Sequence, residues 1–115
     1  MMFEMPTIAF KMKLFKGFEE EYKRRHDNIW PELKELLDDA GISDYYIFLD
    51  EETSILFAVM KITDRKNLDA LPHYEVMKRW WAQMKDIMET NEDDSPVSVP
   101  LTKVFHLKKT ESKIY

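Results

Sequence analysis

The chain has 115 residues, a net charge of −5 and an apolar fraction of 44%, the length of one domain and enough apolar surface for a core. Charges of both signs are interspersed, which gives no general attraction to nucleic acid or to an anionic membrane. No cysteine occurs, which excludes a disulfide framework, a zinc ribbon and a thiol nucleophile and fits a cytoplasmic, reducing compartment.

The first fifteen residues lack a signal-peptide plan, because Glu4 precedes any lysine and Lys11 and Lys13 interrupt the apolar run. No segment approaches the ~20 apolar residues needed to span a bilayer. Thr7 to Phe15 alternates apolar and polar residues and reads as a strand, closed by Lys16-Gly17. A helical pattern starts at Phe18 and runs through Tyr22, Ile29, Leu33 and Leu36. Pro31 predicts a break near Ile29-Trp30 and a second helical segment beginning at Pro31, with Gly41 closing it. Tyr45 to Leu49 and Ile55 to Ile62 read as two strands of a hairpin across Asp50-Glu51-Glu52-Thr53. Asp64 to Leu71 is a short helical piece ended by Pro72, and Tyr74 to Met88 a second main helix. Thr90 to Pro100 carries the residues of a loop, and Leu101 to Leu107 reads as a last strand. The polar tail is set at 108–115, within one domain spanning 1–115.

Strand, helix, strand, strand, helix, strand is the α+β, ferredoxin-like βαββαβ order, with an antiparallel sheet and helices on one face. Ile55 to Ile62 is apolar on both faces, yet two helices cover only one. The helix-free face is therefore expected to be a ligand pocket, a subunit interface or both, most economically a homodimer with sheets packed face to face.

Tyr22, His26 and Trp30 stand at i, i+4 and i+8, which stacks a phenol, an imidazole and an indole on one side of a helix. Such groups can hold a sugar ring and move its protons. The plainer reading of His26 is a helix histidine packed beside Tyr22 or solvated, and Tyr22 and Trp30 read equally as packing residues. Trp80 and Trp81 lie about 100° apart on a helix, so one belongs to the core and the other meets a ligand, a partner or solvent. Tyr45 and Tyr46 point to opposite faces of their strand. Lys23-Arg24-Arg25 reads as a solvated helix face. No metal-ligand spacing, P-loop or dinucleotide fingerprint occurs, so no metal or cofactor is expected.

Glu21-Tyr22-x-Arg24-Arg25-His26-x-x-Ile29-Trp30-Pro31-Glu32-Leu33, Tyr45-x-Ile47-x-Leu49-Asp50, Leu56-Phe57-Ala58, Arg79-Trp80-Trp81 and Asp94-Ser95-Pro96-Val97 together resemble the L-rhamnose mutarotase family. The resemblance implies a dimeric α/β barrel that interconverts the anomers of L-rhamnopyranose, a monosaccharide substrate, without metal or cofactor. It implies His26 as proton donor and Tyr22, Tyr45, Trp80 and Trp81 as sugar-binding positions. The chain departs from the family pattern at Asn28, where proline is expected, and at Asp94, where asparagine is expected. Asp94 bears on the choice of sugar through a loop near the pocket. The alternative is a cofactor-free monooxygenase-like or small-ligand-binding member of the same fold, since fold alone does not fix function.

Overall fold

The computed structural model describes residues 5–109. In chain order these form β1 (Thr7–Lys13), α1 (Glu19–Asp27), α2 (Pro31–Asp39), β2 (Ile42–Asp50) and β3 (Ile55–Ile62). Then come α3 (Lys66–Ala70), a 3-10 turn (Leu71–His73), α4 (Glu75–Met84) and a two-residue β4 (Val99–Pro100). All strand pairs are antiparallel, in spatial order β2-β3-β1-β4. This is the ferredoxin-like order expected from the sequence.

The local signals act where expected. Trp30 is extended (ψ 133°), as a residue before proline prefers, and Pro31 opens α2. Gly41 ends the α2 turn at φ +84°. A side chain there would meet both the left-handed backbone penalty and the Thr63 side chain. Period-two alternation then sorts β3: Leu56, Ala58, Met60 and Ile62 are buried beneath the helices, with Leu33 of α2 and Met77, Trp80 and Met84 of α4.

Three elements differ from expectation, the first being β2, which begins at Ile42 rather than Tyr45. Helix α4 stops at Met84 instead of Met88, because the backbone beyond it pairs with the end of β1. Phe15 N–H donates to Ile87 C=O (2.8 Å), and Glu89 N–H donates to Lys13 C=O (3.0 Å). The strand expected over Leu101 to Leu107 is not formed. Leu101 N–H reaches Ala9 C=O (2.9 Å), but little of β1 remains to pair with, and Pro6 before it has no N–H. The segment runs on exposed, with Val104 at 92% and Phe105 at 76% exposure.

The helix-free face carries Ile55, Phe57 and Val59, beside Tyr46 and Phe48, whose rings stack at 6.1 Å. It is apolar, as the two-sided pattern of β3 required. It is not where the main cleft opens: that cleft lies on the opposite side, between the sheet and the helices.

Candidate functional site

Helix α1 begins with Glu19, Glu20 and Glu21 and ends with Arg24, Arg25 and His26, so its charges complement the helix dipole. Its inner side presents Tyr22 and His26 one turn apart. The two rings stack, with centroids 4.3 Å apart and planes at 25°. His26 Nδ1 lies 3.0 Å from the Tyr22 carbonyl oxygen. A carbonyl only accepts, so Nδ1 carries the hydrogen and donates it. The lone pair of the neutral ring is then on Nε2, the nitrogen left to exchange a proton with a ligand.

From the other side Trp80 of α4 meets the imidazole edge-on at 5.4 Å, and meets Trp30 edge-on at 5.1 Å. The three aromatic residues of the i, i+4, i+8 series are thus drawn to one place, with Trp80 between His26 and Trp30. Trp80 is buried and Trp81 half-buried, the unequal pair that helix geometry requires. Trp30 stays at the edge of the cluster, where the Arg79 guanidinium lies 5.9 Å from its ring centre. It serves as a packing anchor.

Tyr45 reaches the same cleft because of a bulge. Ile42 pairs with Ile62 and Tyr45 with Met60, so β2 spends three residues where β3 spends two. The extra residue sets Tyr45, Ile47 and Leu49 toward the helices and Tyr46 and Phe48 toward the helix-free face. Tyr22, His26, Tyr45, Trp80 and Trp81 therefore line one cleft of about 1370 Å³, otherwise floored by apolar side chains such as Ile47, Leu49 and Met60.

Burial sets the protonation states. Desolvation lowers the His26 pKa below the ordinary histidine value, opposed by the bond to Tyr22 C=O and the charge of Asp27. Burial pushes the Tyr45 phenol up to about 12. The Tyr22 phenol is raised further, by burial and then by nearby Tyr45. Tyr45 lines the cleft and remains 37% exposed. Both phenols stay protonated near neutrality and can donate hydrogen bonds. Among the described residues, no three histidine, cysteine, aspartate or glutamate side chains are grouped to hold a metal ion.

Arg25 departs from the solvated face expected of the basic run. Lys23 and Arg24 are exposed, but the Arg25 side chain is 15% exposed and reaches across to α4. It donates to Gln83 C=O (2.7 Å) and to both Asp86 carboxylate oxygens (2.9 and 3.2 Å), while its Nε donates to Glu21 (2.6 Å). These bonds tie the helix bearing His26 to the helix bearing Trp80. Charge pattern alone gave no sign of this, because the Asp86 partner lies 61 residues away. Asp94 adopts φ +69°, a conformation that asparagine and aspartate tolerate better than most other non-glycine residues, so aspartate fits where asparagine is expected. The turn around it is held by Asp93, which accepts from Ser95 N–H (3.0 Å).

Comparison with known proteins supplies the rest. The family model described as L-rhamnose mutarotase matches residues 7–107. An L-rhamnose mutarotase of Jannaschia sp. (strain CCS1) is 58% identical over 103 residues, covering 90% of this chain and 99% of that protein. One of Brucella anthropi is 60% identical over 99 residues, covering 86% and 93%. The crystal structure of an L-rhamnose mutarotase from Formosa agariphila superposes with a TM-score of 0.83 at 51% identity, covering 90% of this chain and 99% of that one. A conserved protein from Methanosarcina mazei Go1 shares the fold alone, with a TM-score of 0.58 at 15% identity and 84% and 90% coverage.

Proposed function

The chain belongs to the L-rhamnose mutarotase family, and from that premise we propose a role for each side chain of the cleft. The protein is an isomerase that interconverts the α and β anomers of L-rhamnopyranose.

Mutarotation opens a hemiacetal and closes it on the other face of C1. The anomeric hydroxyl loses a proton to a water molecule, the ring oxygen gains one, and the C1–ring oxygen bond breaks. Closure reverses each transfer, so no covalent intermediate forms and no net proton is consumed. In this reading His26 carries the proton through Nε2, giving it to the ring oxygen on opening and recovering it on closure. The hydrogen bond from Nδ1 to Tyr22 C=O supports this role, because it fixes the ring and leaves Nε2 free for the sugar. Desolvation makes the imidazolium a stronger acid than a solvated one.

Tyr22 and Tyr45 hold sugar hydroxyls by donating from phenols that burial keeps neutral. Trp81, half-open at the cleft, packs against the C–H face or C6 methyl of the sugar. That methyl has no hydroxyl to satisfy, so an apolar aromatic wall suits a 6-deoxy sugar. Trp80 backs the imidazole from the buried side. The helix-free face joins a second copy, sheet against sheet, in a cytoplasmic homodimer.

The observation that carries the assignment is His26 held between Tyr22 and Trp80 by a hydrogen bond that uses only one of its nitrogens. His26→Ala is expected to fold and to lose about 10²–10⁴-fold in anomer exchange, measured by saturation-transfer NMR on L-rhamnose. Near-normal exchange in the folded variant removes His26 as the proton carrier.

A further inference from the structure

We propose that Arg25 is a positioning residue for anomer exchange: it clamps the helix that bears His26 to the end of α4, and so fixes where the imidazole stands relative to Trp80 and Trp81. Resting on the mutarotase reading of the cleft, this role adds to the site a side chain that does not itself line it.

The need for a clamp follows from the composition of α1. Every residue of Glu19–Asp27 except Tyr22 and His26 is charged, and Tyr22 alone is buried. Most of a helix's stability in a folded chain comes from packing an apolar face, and α1 has almost none. Yet this helix carries His26, whose Nε2 must meet a sugar held in part by Trp81 of α4. Proton transfer depends steeply on placement, and a misplacement of about 1 Å can cost roughly 10²-fold.

Helical spacing sets two rows along α1. Tyr22 and His26, at i and i+4, form the row that faces the cleft. Glu21 and Arg25, also at i and i+4, form the row beside it. Glu21 accepts from Arg25 Nε (2.6 Å), which leaves the two terminal nitrogens to reach toward α4. There Nη1 donates to Gln83 C=O (2.7 Å), and Nη1 and Nη2 donate to the two Asp86 oxygens (2.9 and 3.2 Å). Gln83 lies in the last turn of α4, where carbonyls lack a partner within the helix, so the guanidinium caps that end. Among the described residues, no other side chain of α1 hydrogen-bonds to α4 or to the segment that follows it.

The clamp and the site form one ring of contacts. Trp80 precedes Gln83 by three residues, close to one turn, and His26 follows Arg25 directly. The 5.4 Å contact of His26 with Trp80 closes the ring. Stability gives such a clamp little purpose, since the Asp86 side chain is 62% exposed and an ion pair open to water adds little. Its contribution is direction: a planar fork fixed on two acceptors holds one orientation. Hydrogen bonds from Arg24 and Arg25 hold the Glu21 carboxyl down to about 2, and that from Arg25 lowers the Asp86 carboxyl. The clamp is therefore fully charged wherever His26 titrates.

The test uses the full-length chain. Arg25→Met keeps most of the apolar stem and removes every donor. Asp86→Ala removes the far anchor. Asn67→Ala deletes a hydrogen bond to Ala40 C=O (2.8 Å) away from the cleft and controls for general destabilisation. Circular dichroism establishes folding, and kcat and KM for anomer exchange on L-rhamnose are measured well below each Tm. Arg25→Met is expected to lower kcat at least tenfold with KM within threefold. Asp86→Ala is expected to lower kcat at least threefold. The double variant is expected to be no slower than Arg25→Met alone, because both residues act through one link. The His26 ring-proton NMR signals, which sense the Tyr22 and Trp80 rings, are expected to move in Arg25→Met and not in Asn67→Ala.

Parent-like kcat in folded Arg25→Met overturns the positioning role, whatever happens to Tm. So does a raised KM with kcat intact, a multiplied loss in the double variant, or an equal loss of kcat in Asn67→Ala. If Arg25→Met does not fold, Asp86→Ala decides: a threefold loss of kcat supports the clamp and parent-like kcat overturns it. If the parent exchanges no anomers, the mutarotase reading falls and the NMR signals decide. Displaced His26 signals in Arg25→Met or Asp86→Ala then still support the clamp, and unmoved signals overturn it.

Discussion

Replacing Trp80 and Trp81 one at a time separates packing from binding within two adjacent residues. Trp80 is 6% exposed and makes edge contacts with both His26 and Trp30, so Trp80→Ala empties a core site. Loss of a buried aromatic costs about 3–5 kcal/mol. A 115-residue domain unfolds with an entropy of about 0.24 kcal/mol/K, so Tm falls by about 12–20 °C. The total stability of such a domain is about 5–15 kcal/mol, so the variant still folds at low temperature unless the parent lies near the bottom of that range. Trp81 is half-buried on the cleft, and Trp81→Ala is expected to cost only about 1–2 kcal/mol. Its main effect is a weaker hold on the sugar, seen as a raised KM with smaller change in Tm. Thermal melts and titrations with L-rhamnose on both variants measure the split. Equal loss of Tm with normal sugar binding in both would show that the two tryptophans only pack, and the binding role of Trp81 would fall.

Two further outcomes follow from the same geometry. If protonated His26 is the donor, background-corrected kcat/KM rises as pH falls from 8 through 6.5, because the burial-lowered pKa leaves the donor form scarce at neutrality; a decline over that range would make neutral His26 the essential form. Gly41→Ala combines a positive φ with a collision against Thr63 and is expected to destabilise by more than about 1 kcal/mol in a urea titration, whereas a neutral result would mean that the α2–β2 turn relaxes freely.

The order of elements was legible because each boundary carries a local cause: Pro31 after an extended Trp30, Gly41 at positive φ, alternation in β3. The end of α4 and the fate of 101–107 were not, because both depend on which edge of β1 remains free for pairing. That is a tertiary matter that propensity does not record. In the site, the i, i+4, i+8 spacing did announce that Tyr22 and His26 share a face. It gave no reason to bring Trp80 between His26 and Trp30, which follows from the packing of α4 across α1 and α2. The role of Arg25 was hidden for the same reason: its partners lie near the end of α4, 58 and 61 residues away. The sequence left the helix-free face as a ligand pocket, a subunit interface or both. The cleft instead takes the helix side, since the aromatic face of α1 and the Tyr45 face of β2 both turn inward.

Tyr45, rather than Tyr46, faces the cleft because of one extra residue in β2, and that dependence can be tested by deletion. Counting by twos from buried Ile42 would put Asp44 and Tyr46 on the helix side and Tyr45 outside. The bulge reverses this parity before Tyr45 is reached. Deleting Asp44, which is exposed and upstream of Tyr45, heals the bulge: Ile42 still opposes Ile62 and Tyr45 still opposes Met60. Stability is expected to change by about 1 kcal/mol or less, with anomer exchange retained. Deleting Tyr46 removes the same number of residues but lies between Tyr45 and Ile47, where no bulge absorbs the loss. Either Tyr45 leaves the cleft, or Ile47 and Leu49 turn out of it, because a one-residue slip exchanges the faces of a strand. Most exchange is then lost even in chains that fold. Tyr46→Ser, which removes the same ring without changing parity, is the control and keeps Tyr45 inside. A folded Asp44 deletion that is as inactive as the Tyr46 deletion would show that the bulge shapes the site in some way other than aiming Tyr45.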